Sequence, residues 1–407
     1  MNKLLSGIKR VAVQITEEKS LEERLNSGKQ LVIKLGADPS RPDLHLGHAV
    51  VLRQIKKFQD AGHKVVFIVG DFTAMVGDPS GRSKTRPALT LEQTRASGAT
   101  YFKQVTKILD PKKTEIVYNS KWLERMGFKD ILELCAKYTV ARILERDDFS
   151  KRFNSNAPIG VHELMYPLMQ GFDSVQIKAD IEVGGTDQTF NLLVGRDLQK
   201  DYGQIPQEVI TFPLLVGLDG KEKMSKSLDN YIGIDEPPAV MFEKCMKVPD
   251  SVLLDYFRLT TDILLEEARE LCKNMREAHF EYAKTIVEMY HSKKDATQAK
   301  ERYITVASNN IPDDIKEVVL DSSGGHPFVS FVGKNTEGQA TDESVIYLIN
   351  ALVEGGLEDS TSNARRMIEG GGIKVNGEVV KDKALRLSKG EYVIQKGKNK
   401  FVKVIIK

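Results

Sequence analysis

Two histidines, His45 and His48, stand three residues apart in the stretch Gly36-Ala37-Asp38-Pro39-Ser40-Arg41-Pro42-Asp43-Leu44-His45-Leu46-Gly47-His48. The apolar run before it, Leu31-Val32-Ile33-Lys34-Leu35, reads as a buried parallel strand. Pro39 and Pro42 forbid helix between them, so the pattern predicts a loop, then a helix from near Leu44 with Asp43 as its N-cap. On that helix the two imidazoles share one face of the first turn. Gly47 between them has no side chain, so a flat ring or a phosphate can approach the backbone. The unpaired N–H groups of a helix start at a strand end attract anions. Two histidines on one helix are, in isolation, more often the cap and decoration of a surface helix. Far downstream lies Lys223-Met224-Ser225-Lys226-Ser227, two lysines in a short serine-bearing loop. It suits either a phosphate chain or plain solvent.

Two further stretches carry polar groups in usable patterns. The segment from Gly70 to Arg86 is a long glycine-punctuated loop after a second strand, at an edge where parallel sheets bind ligands. In it Asp78 is an anion suited to an ammonium group, and Arg82, Lys84 and Arg86 are cations able to swing over phosphates; the alternative is a hydrophilic surface loop. Tyr166, Gln170 and Asp173 fall at i, i+4 and i+7, one face of a helix, while Leu164, Leu168, Phe172 and Val175 supply packing on others. Next comes Glu182-Val183-Gly184-Gly185-Thr186-Asp187-Gln188, another strand end with paired glycines and a helix cap.

These residues need a scaffold, and the hydrophobic pattern supplies one. Val51, Ile55 and Phe58 have helical spacing, Gly62 ends that helix, and Lys64–Val69 is the next strand. Strand, crossover helix and strand open a doubly wound, Rossmann-like parallel sheet, an α/β fold. Further strands are expected near Glu115–Tyr118, Lys178–Val183 and Glu208–Phe212, with helices around Leu91–Leu109, Val161–Gln176 and Asp187–Lys200. Residues 121–157 read as a helical insertion between the halves of the sheet. Asp235-Glu236-Pro237-Pro238 closes the catalytic region, 1–235. A small helical domain over 236–310, a glycine-bearing linker over 311–340 and a final α+β unit over 341–407 are expected to follow. In that unit the reading is a helix at Ser344–Leu352, a second near Asn363–Glu369, then short strands.

At 407 residues, 41% hydrophobic and 29% charged, the composition is that of a soluble globular chain of two or three domains. No apolar run is long enough to span a bilayer, and the first residues lack the apolar region of a signal peptide. Cys135, Cys245 and Cys272 show no metal-ligand spacing and read as thiols of a reducing cytoplasm. The net charge of +2 is unevenly spread: Thr361–Lys407 holds twelve Lys and Arg against four Asp and Glu, whereas the preceding 360 residues carry 47 against 53. A basic end on a mildly acidic body points to a docked polyanion.

The pairing of His45-Leu46-Gly47-His48 with Lys223-Met224-Ser225-Lys226-Ser227 resembles the HxGH and KMSKS signatures of class I aminoacyl-tRNA synthetases. The helix face Tyr166, Gln170, Asp173 and the run Gly184-Gly185-Thr186-Asp187-Gln188 narrow the resemblance to the tyrosyl-tRNA synthetase family, over essentially the whole chain. It implies ATP-dependent attachment of tyrosine to tRNA(Tyr) through a tyrosyl-adenylate, with Mg²⁺ accompanying ATP, in a cytoplasmic homodimer paired through 121–157 and the adjoining helix. His45, His48, Lys223 and Lys226 would serve the phosphates, with Arg82, Lys84 and Arg86 as helpers. Gly36, Asp38, Gly47, Gly185, Asp187, Met224 and Ser225 would face ATP and the adenylate. Asp78, Tyr166 and Gln170 would hold the α-ammonium, with Gln188 near the carboxylate and Asp173 accepting from the phenol. Lys34 stands where many members carry a phenol-reading tyrosine, and is counted with the tyrosine-binding set. The run Ser362–Gly377 resembles the small RNA-binding fold shared with a ribosomal small-subunit protein, which implies RNA contact by Arg365, Arg366 and Lys374. A tryptophan-specific relative, an HxGH-type nucleotidyltransferase and a non-enzymatic RNA-binding paralogue are the alternatives.

Overall fold

The computed structural model describes residues 2–38, 44–78, 103–308, 310–312, 315–320, 329–331 and 344–407, with backbone alone at 329–331 and 344. Arg82, Lys84, Arg86, the Asp43 cap and most of the helix expected at Leu91–Leu109 lie outside the described residues. The chain divides into two compact units, Met1–Thr297 and Gln298–Lys407.

In the first unit β-branched runs build one six-stranded sheet from β1 (Gln14–Ile15), β2 (Val32–Ala37), β3 (Lys64–Val69), β4 (Thr114–Tyr118), β5 (Ile181–Gly185) and β6 (Glu208–Phe212). Their order is β1-β6-β5-β2-β3-β4, parallel throughout except for the β1 edge. All five residues of β6, and Val65–Val69 of β3, are buried, as parallel strands covered on both faces must be. The chain winds from β2 out to β4, then returns to β5 on the other side of β2. The carboxyl ends of β2 and β5 therefore flank the point where strand order reverses, which is where open α/β sheets form their crevice. Helix Leu46–Asp60 joins β2 to β3, Val161–Ile177 leads into β5, and Thr189–Asp201 joins β5 to β6. The strand expected from Lys178 begins at Ile181, because Lys178 takes a left-handed cap (φ 51°) that ends the preceding helix.

Between β4 and helix Val161–Ile177 run four short helices, Ser120–Leu123, Phe128–Cys135, Val140–Ile143 and Asp147–Asn154. A buried fork fixes the last to the long helix: Arg152 donates to Glu163 at 2.6 and 2.9 Å. Beyond β6, five helices from Pro238 to Ala307 contain no strand. Tyr256 on the second of them donates to the Val216 carbonyl at 2.5 Å, and Arg53 pairs with Asp262 at 2.5 Å.

The second unit holds a five-stranded sheet, β11-β10-β13-β14-β7, and a three-stranded one, β12-β9-β8. Its strands are β7 (Lys316–Leu320), β8 (Val329–Phe331), β9 (Ser344–Tyr347), β10 (Ile373–Val375), β11 (Glu378–Val380), β12 (Arg386–Leu387), β13 (Gly390–Lys396) and β14 (Lys400–Ile406). Helices Leu348–Glu354 and Thr361–Glu369 place Leu348, Leu352, Ala364 and Ile368 in one core with Ile373, Ile394, Val402 and Val404. Asn376 and Gly377, both at positive φ (50° and 89°), make the tight turn between β10 and β11. Two readings change here. Ser344–Tyr347 is a strand and not the start of a helix, since Ile346 and Tyr347 meet Leu387 and Arg386 across an antiparallel ladder, and Val345 and Ile346 favour extended backbone. The stretch 311–340 also contributes strands: Lys316–Leu320 runs parallel to β14, and Val329–Phe331 pairs with β9.

Candidate active site

A cavity of about 620 Å³ opens at the β2/β5 switch point. Its wall includes Gly36, Asp38, His45, Gly47, His48 and Asp78 from the first half of the sheet. Tyr166, Gln170, Asp173, Gly185, Asp187 and Gln188 come from the second half, and Lys223, Met224, Ser225 and Lys226 from the loop after β6. Residues separated by up to 190 positions thus meet because parallel strands end at one edge.

At the end bearing the two histidines the helix begins one or two residues later than its prolines suggested. His45 is the N-cap, in extended conformation, and Leu46 is the first helical residue. The imidazoles of His45 and His48 lie with centroids 4.0 Å apart. A Cβ on Gly47 would come within 3.0 Å of the His45 ring, so only glycine admits this stack without displacement. His48 Nδ1 accepts the His45 backbone N–H at 3.3 Å, which leaves its proton on Nε2 as a donor. Burial above all, then neighbouring positive charge, lowers His45 to about 2 and His48 to about 4. Both rings are therefore neutral at physiological pH. The buried Nδ1 of His45 has no hydrogen-bond partner in the protein.

The lysine loop is tied down by Asn230. Its side chain accepts from Ser225 N at 2.7 Å and donates to the Lys223 carbonyl at 3.2 Å, while Met224 N reaches the Leu215 carbonyl at 2.7 Å. Ser225 caps a short 3₁₀ turn, Lys226–Leu228. Lys223 Nζ pairs with Asp187 Oδ2 at 2.8 Å.

The opposite end is a web of side-chain bonds. Tyr166 donates to Asp38 Oδ2 at 2.8 Å, and Thr73 donates to Asp38 Oδ1 at 2.7 Å. Gly70 leaves the room this needs, since a Cβ there would fall 2.1 Å from Asp38 Oδ1. Gln188 donates to Asp78 at 2.8 Å. Asp173 is buried and accepts from Trp122 Nε1 at 2.8 Å and from Asn119 at 3.3 Å. Burial raises its carboxyl to about 7, against the pull of Lys34 and those two donors.

Lys34 is placed differently from the others. It is 0% exposed, sits directly across from Glu182 in the β2/β5 register, and is not part of the cavity wall. Its ammonium bonds Glu182 at 2.8 Å, Ser174 Oγ at 2.7 Å and the Gln170 carbonyl at 2.9 Å, which uses all three of its hydrogens. Leu35, Gly36 and Ala37 line the cavity, whereas the Lys34 ammonium is turned to helix Val161–Ile177, where Gln170 and Ser174 receive it.

Three residues that the motifs did not reveal complete the site. Asn119 and Trp122 orient Asp173. Asn191, buried and held by Arg146 at 3.1 Å, donates to Gln170 at 3.0 Å and toward Gln188 at 3.3 Å. One signal was available: Trp122 is the chain's single tryptophan, and a partly buried indole N–H needs an acceptor. In the second unit Arg365 and Arg366 are exposed on helix Thr361–Glu369, and Lys374 is half-buried on β10.

The chain is similar to known proteins along its whole length. A family model described as tRNA synthetases class I (W and Y) matches residues 26–308, and one described as S4 domain matches residues 348–393. The tyrosine–tRNA ligase of Deinococcus radiodurans is 48% identical over 413 residues, covering 100% of this chain and 97% of its own length. That of Aquifex aeolicus is 48% identical over 402 residues, covering 98% and 97%. Among solved structures, a C-terminally truncated mitochondrial tyrosyl-tRNA synthetase of Aspergillus nidulans matches with a TM-score of 0.61 at 21% identity, over 75% of this chain and 94% of that one. The tyrosyl-tRNA synthetase of Archaeoglobus fulgidus, complexed with L-tyrosine, matches at 0.58 and 22%, over 73% and 99%. The two structures speak for the fold, and the near-half identity across whole chains speaks for more. The chain belongs to the tyrosyl-tRNA synthetases, class I aminoacyl-tRNA synthetases with a C-terminal S4 domain.

Proposed function

We propose that this chain activates tyrosine with Mg·ATP and transfers it to tRNA(Tyr). The observation that carries the reading is one cavity lined by His45, His48, Lys223 and Lys226 at one end and by Tyr166, Gln170 and Asp173 at the other. In the first step a tyrosine carboxylate oxygen bonds the α-phosphorus of ATP, and the bond to the bridging oxygen breaks to release pyrophosphate. In the second, a terminal ribose hydroxyl of the tRNA bonds the tyrosyl carbonyl carbon and AMP leaves. The attacking carboxylate is already a nucleophile, so the protein's part is positioning and stabilising charge that builds on the phosphates.

The neutral imidazoles donate hydrogen bonds to phosphate oxygens, and Lys223 and Lys226 supply charge, with Arg82, Lys84 and Arg86 assigned as helpers. Lys223 leaves Asp187 when the ribose arrives, and Asp187 then bonds the ribose hydroxyls. Gly36, Asp38, Gly47, Gly185, Met224 and Ser225 face the nucleotide. Asp78, Tyr166 and Gln170 hold the α-ammonium, Gln188 lies by the carboxylate, and Asp173 accepts the phenol O–H. Lys34 supports the helix that carries Tyr166, Gln170 and Asp173, through the Gln170 carbonyl and Ser174, instead of touching tyrosine. Tyrosine-dependent ATP–pyrophosphate exchange, assayed with all twenty amino acids, tests the reading; exchange driven best by tryptophan, or by none, would reject it.

The protein acts as a cytoplasmic homodimer. Phe128, Leu132, Val140, Phe153 and Val161 support this, because all are exposed, Phe128 and Val161 by 77% and 78%, and all lie on the insertion or the helix after it. Among the described residues no helix is long and apolar enough to cross a membrane. Arg365, Arg366 and Lys374 contact tRNA phosphates. Each alanine substitution there should lower the slope of log affinity against log salt by roughly 0.7 to 0.9, while pyrophosphate exchange stays unchanged.

A further inference from the structure

The segment after the lysine loop joins the two signature motifs directly. Leu46 N donates to the Ile232 carbonyl at 3.0 Å, Ile234 N donates to the Leu44 carbonyl at 3.1 Å, and His45 faces Gly233 in an antiparallel bridge. Ile232 and Ile234 are fully buried, so this short ladder is anchored on its inner side. Tyr231 stands at its start, with its ring centroid 6.2 Å from that of His45. Two ammonium groups lie over the same ring, Lys226 Nζ at 5.4 Å and Lys244 Nζ at 4.2 Å. Both are within the reach of a cation–π contact. Lys244 also bonds Glu236 Oε1 at 2.5 Å, so its charge is offset locally and adds little repulsion against Lys226. Lys226 ends in a point charge on a flexible four-carbon stem, which loses rotamer freedom whenever it must hold one position.

We propose that Tyr231 is a positioning residue for adenylate formation, its ring holding the Lys226 ammonium at a fixed place beside His45. The proposal rests on the phosphate-stabilising role given to Lys226 above. A ring fixed to the HxGH helix start by backbone bonds restricts the lysine before ATP arrives, so less ordering remains for the reaction itself. Nothing in the HxGH or KMSKS signatures includes this tyrosine.

The test is tyrosine-dependent ATP–pyrophosphate exchange by the full-length protein carrying Tyr231→Leu, Tyr231→Met or Tyr231→Phe, each also combined with Lys226→Ala. Tyr231→Leu and Tyr231→Met should each reduce kcat about three- to tenfold, the range of a partly exposed cation–π contact, without changing the KM for tyrosine. Tyr231→Phe keeps the ring and should stay close to the parent. In the Lys226→Ala background none of the three should add a further loss. If one aliphatic variant fails to fold, the other and the phenylalanine variant still carry the comparison. Losses that multiply in the double variants, a Tyr231→Phe as slow as the aliphatic ones, or harmless aliphatic variants beside a slow Lys226→Ala would each overturn the role of Tyr231 alone. A Lys226→Ala enzyme as fast as the parent would overturn the role of Lys226, and that of Tyr231 with it.

Discussion

The two ends of the cavity are built on opposite plans. The end carrying His45, His48, Lys223 and Lys226 is made of short contiguous runs, with glycines where side chains would collide and backbone bonds holding the loops. The end carrying Tyr166, Gln170 and Asp173 is one face of helix Val161–Ile177, whose side chains are each held by side chains from distant elements, Asp38, Asn191, Asn119 and Trp122, while Lys34 bonds Glu182, Ser174 and the Gln170 carbonyl behind them. A phosphate chain is a diffuse anion that backbone N–H groups and cations placed beside them satisfy. A phenol and an ammonium on one small molecule need buried acceptors at fixed spacing, and a buried acceptor is stable only inside a satisfied network. One end is thus held mainly through its backbone and the other through its side chains.

That contrast breaks most visibly at Lys34. Lys34→Met would leave the Glu182 carboxylate, 1% exposed, without its counter-charge. Orphaning one partner of a buried pair costs about 3–5 kcal/mol, so urea unfolding should show a loss of that order. Lys34→Met combined with Glu182→Met should recover most of it, since an apolar pair of similar size needs no counter-charge. A single Lys34→Met as stable as the parent would mean that the web is not what holds this end together. At the end held through its backbone the expected loss is in rate, not stability. Lys223→Ala or Lys226→Ala should slow adenylate formation by about a hundredfold, the usual effect of removing one preorganised charge contact, or about 3 kcal/mol. The urea midpoint should hardly move, as Lys223 is paired only at a largely exposed site. Pre-steady-state bursts at parental rate would remove the lysines from the chemistry.

The same contrast explains what could be read from the residues alone. His45 to His48 and Lys223 to Ser227 are visible because backbone geometry demands neighbours in sequence: a cap, a glycine, a turn. Tyr166, Gln170 and Asp173 were visible because helix periodicity put them on one face. Asn119, Trp122 and Asn191 were not, because their partners lie 54, 51 and 21 residues away and no local pattern encodes such bonds. Lys34 was legible as a departure at a key strand position, yet its partners depended on the Glu182 register on β5 and on where helix Val161–Ile177 brings Gln170 and Ser174. The parallel sheet was legible from its buried β-branched runs. Strands β7, β8 and β9 were not, because each is short and stabilised by partners far along the chain.

A more modest effect sharpens the specificity side of the comparison. Asp173→Ala removes the acceptor that tyrosine's phenol meets in the proposed complex, and leaves that O–H buried and unpaired at a penalty of about 1–3 kcal/mol. The kcat/KM for tyrosine should fall roughly ten- to hundredfold on that basis, while the value for phenylalanine, which offers no O–H, should change little. Measuring both substrates on one preparation distinguishes a lost acceptor from a damaged site. An Asp173→Ala enzyme that still prefers tyrosine as the parent does would place phenol recognition elsewhere.

The smallest expected effect is a pH dependence confined to the end held through its side chains. Burial raises the Asp173 carboxyl to about 7, so between pH 8 and pH 6 it passes from mostly ionised to mostly protonated. The ionised form accepts the phenol O–H, whereas the protonated form presents a competing donor. Tyrosine affinity should therefore weaken as pH falls through 7, by up to about tenfold at pH 6 if only the carboxylate binds. At the other end, His45 and His48 titrate near 2 and 4 and stay neutral across the same range. The affinity for ATP supplied as its magnesium complex, whose cation keeps the terminal phosphate ionised, should accordingly remain nearly flat down to pH 6. His63, also lowered, bonds Leu31 N just before β2 begins, at the strand end away from the cavity, and so does not enter. Asp173→Asn cannot ionise and should bind tyrosine weakly with no slope over this interval. Calorimetric titrations of tyrosine and of ATP at pH 6, 7 and 8 check both ends at once. Parallel slopes for the two ligands, or a slope that survives Asp173→Asn, would show that the titrating group is not Asp173.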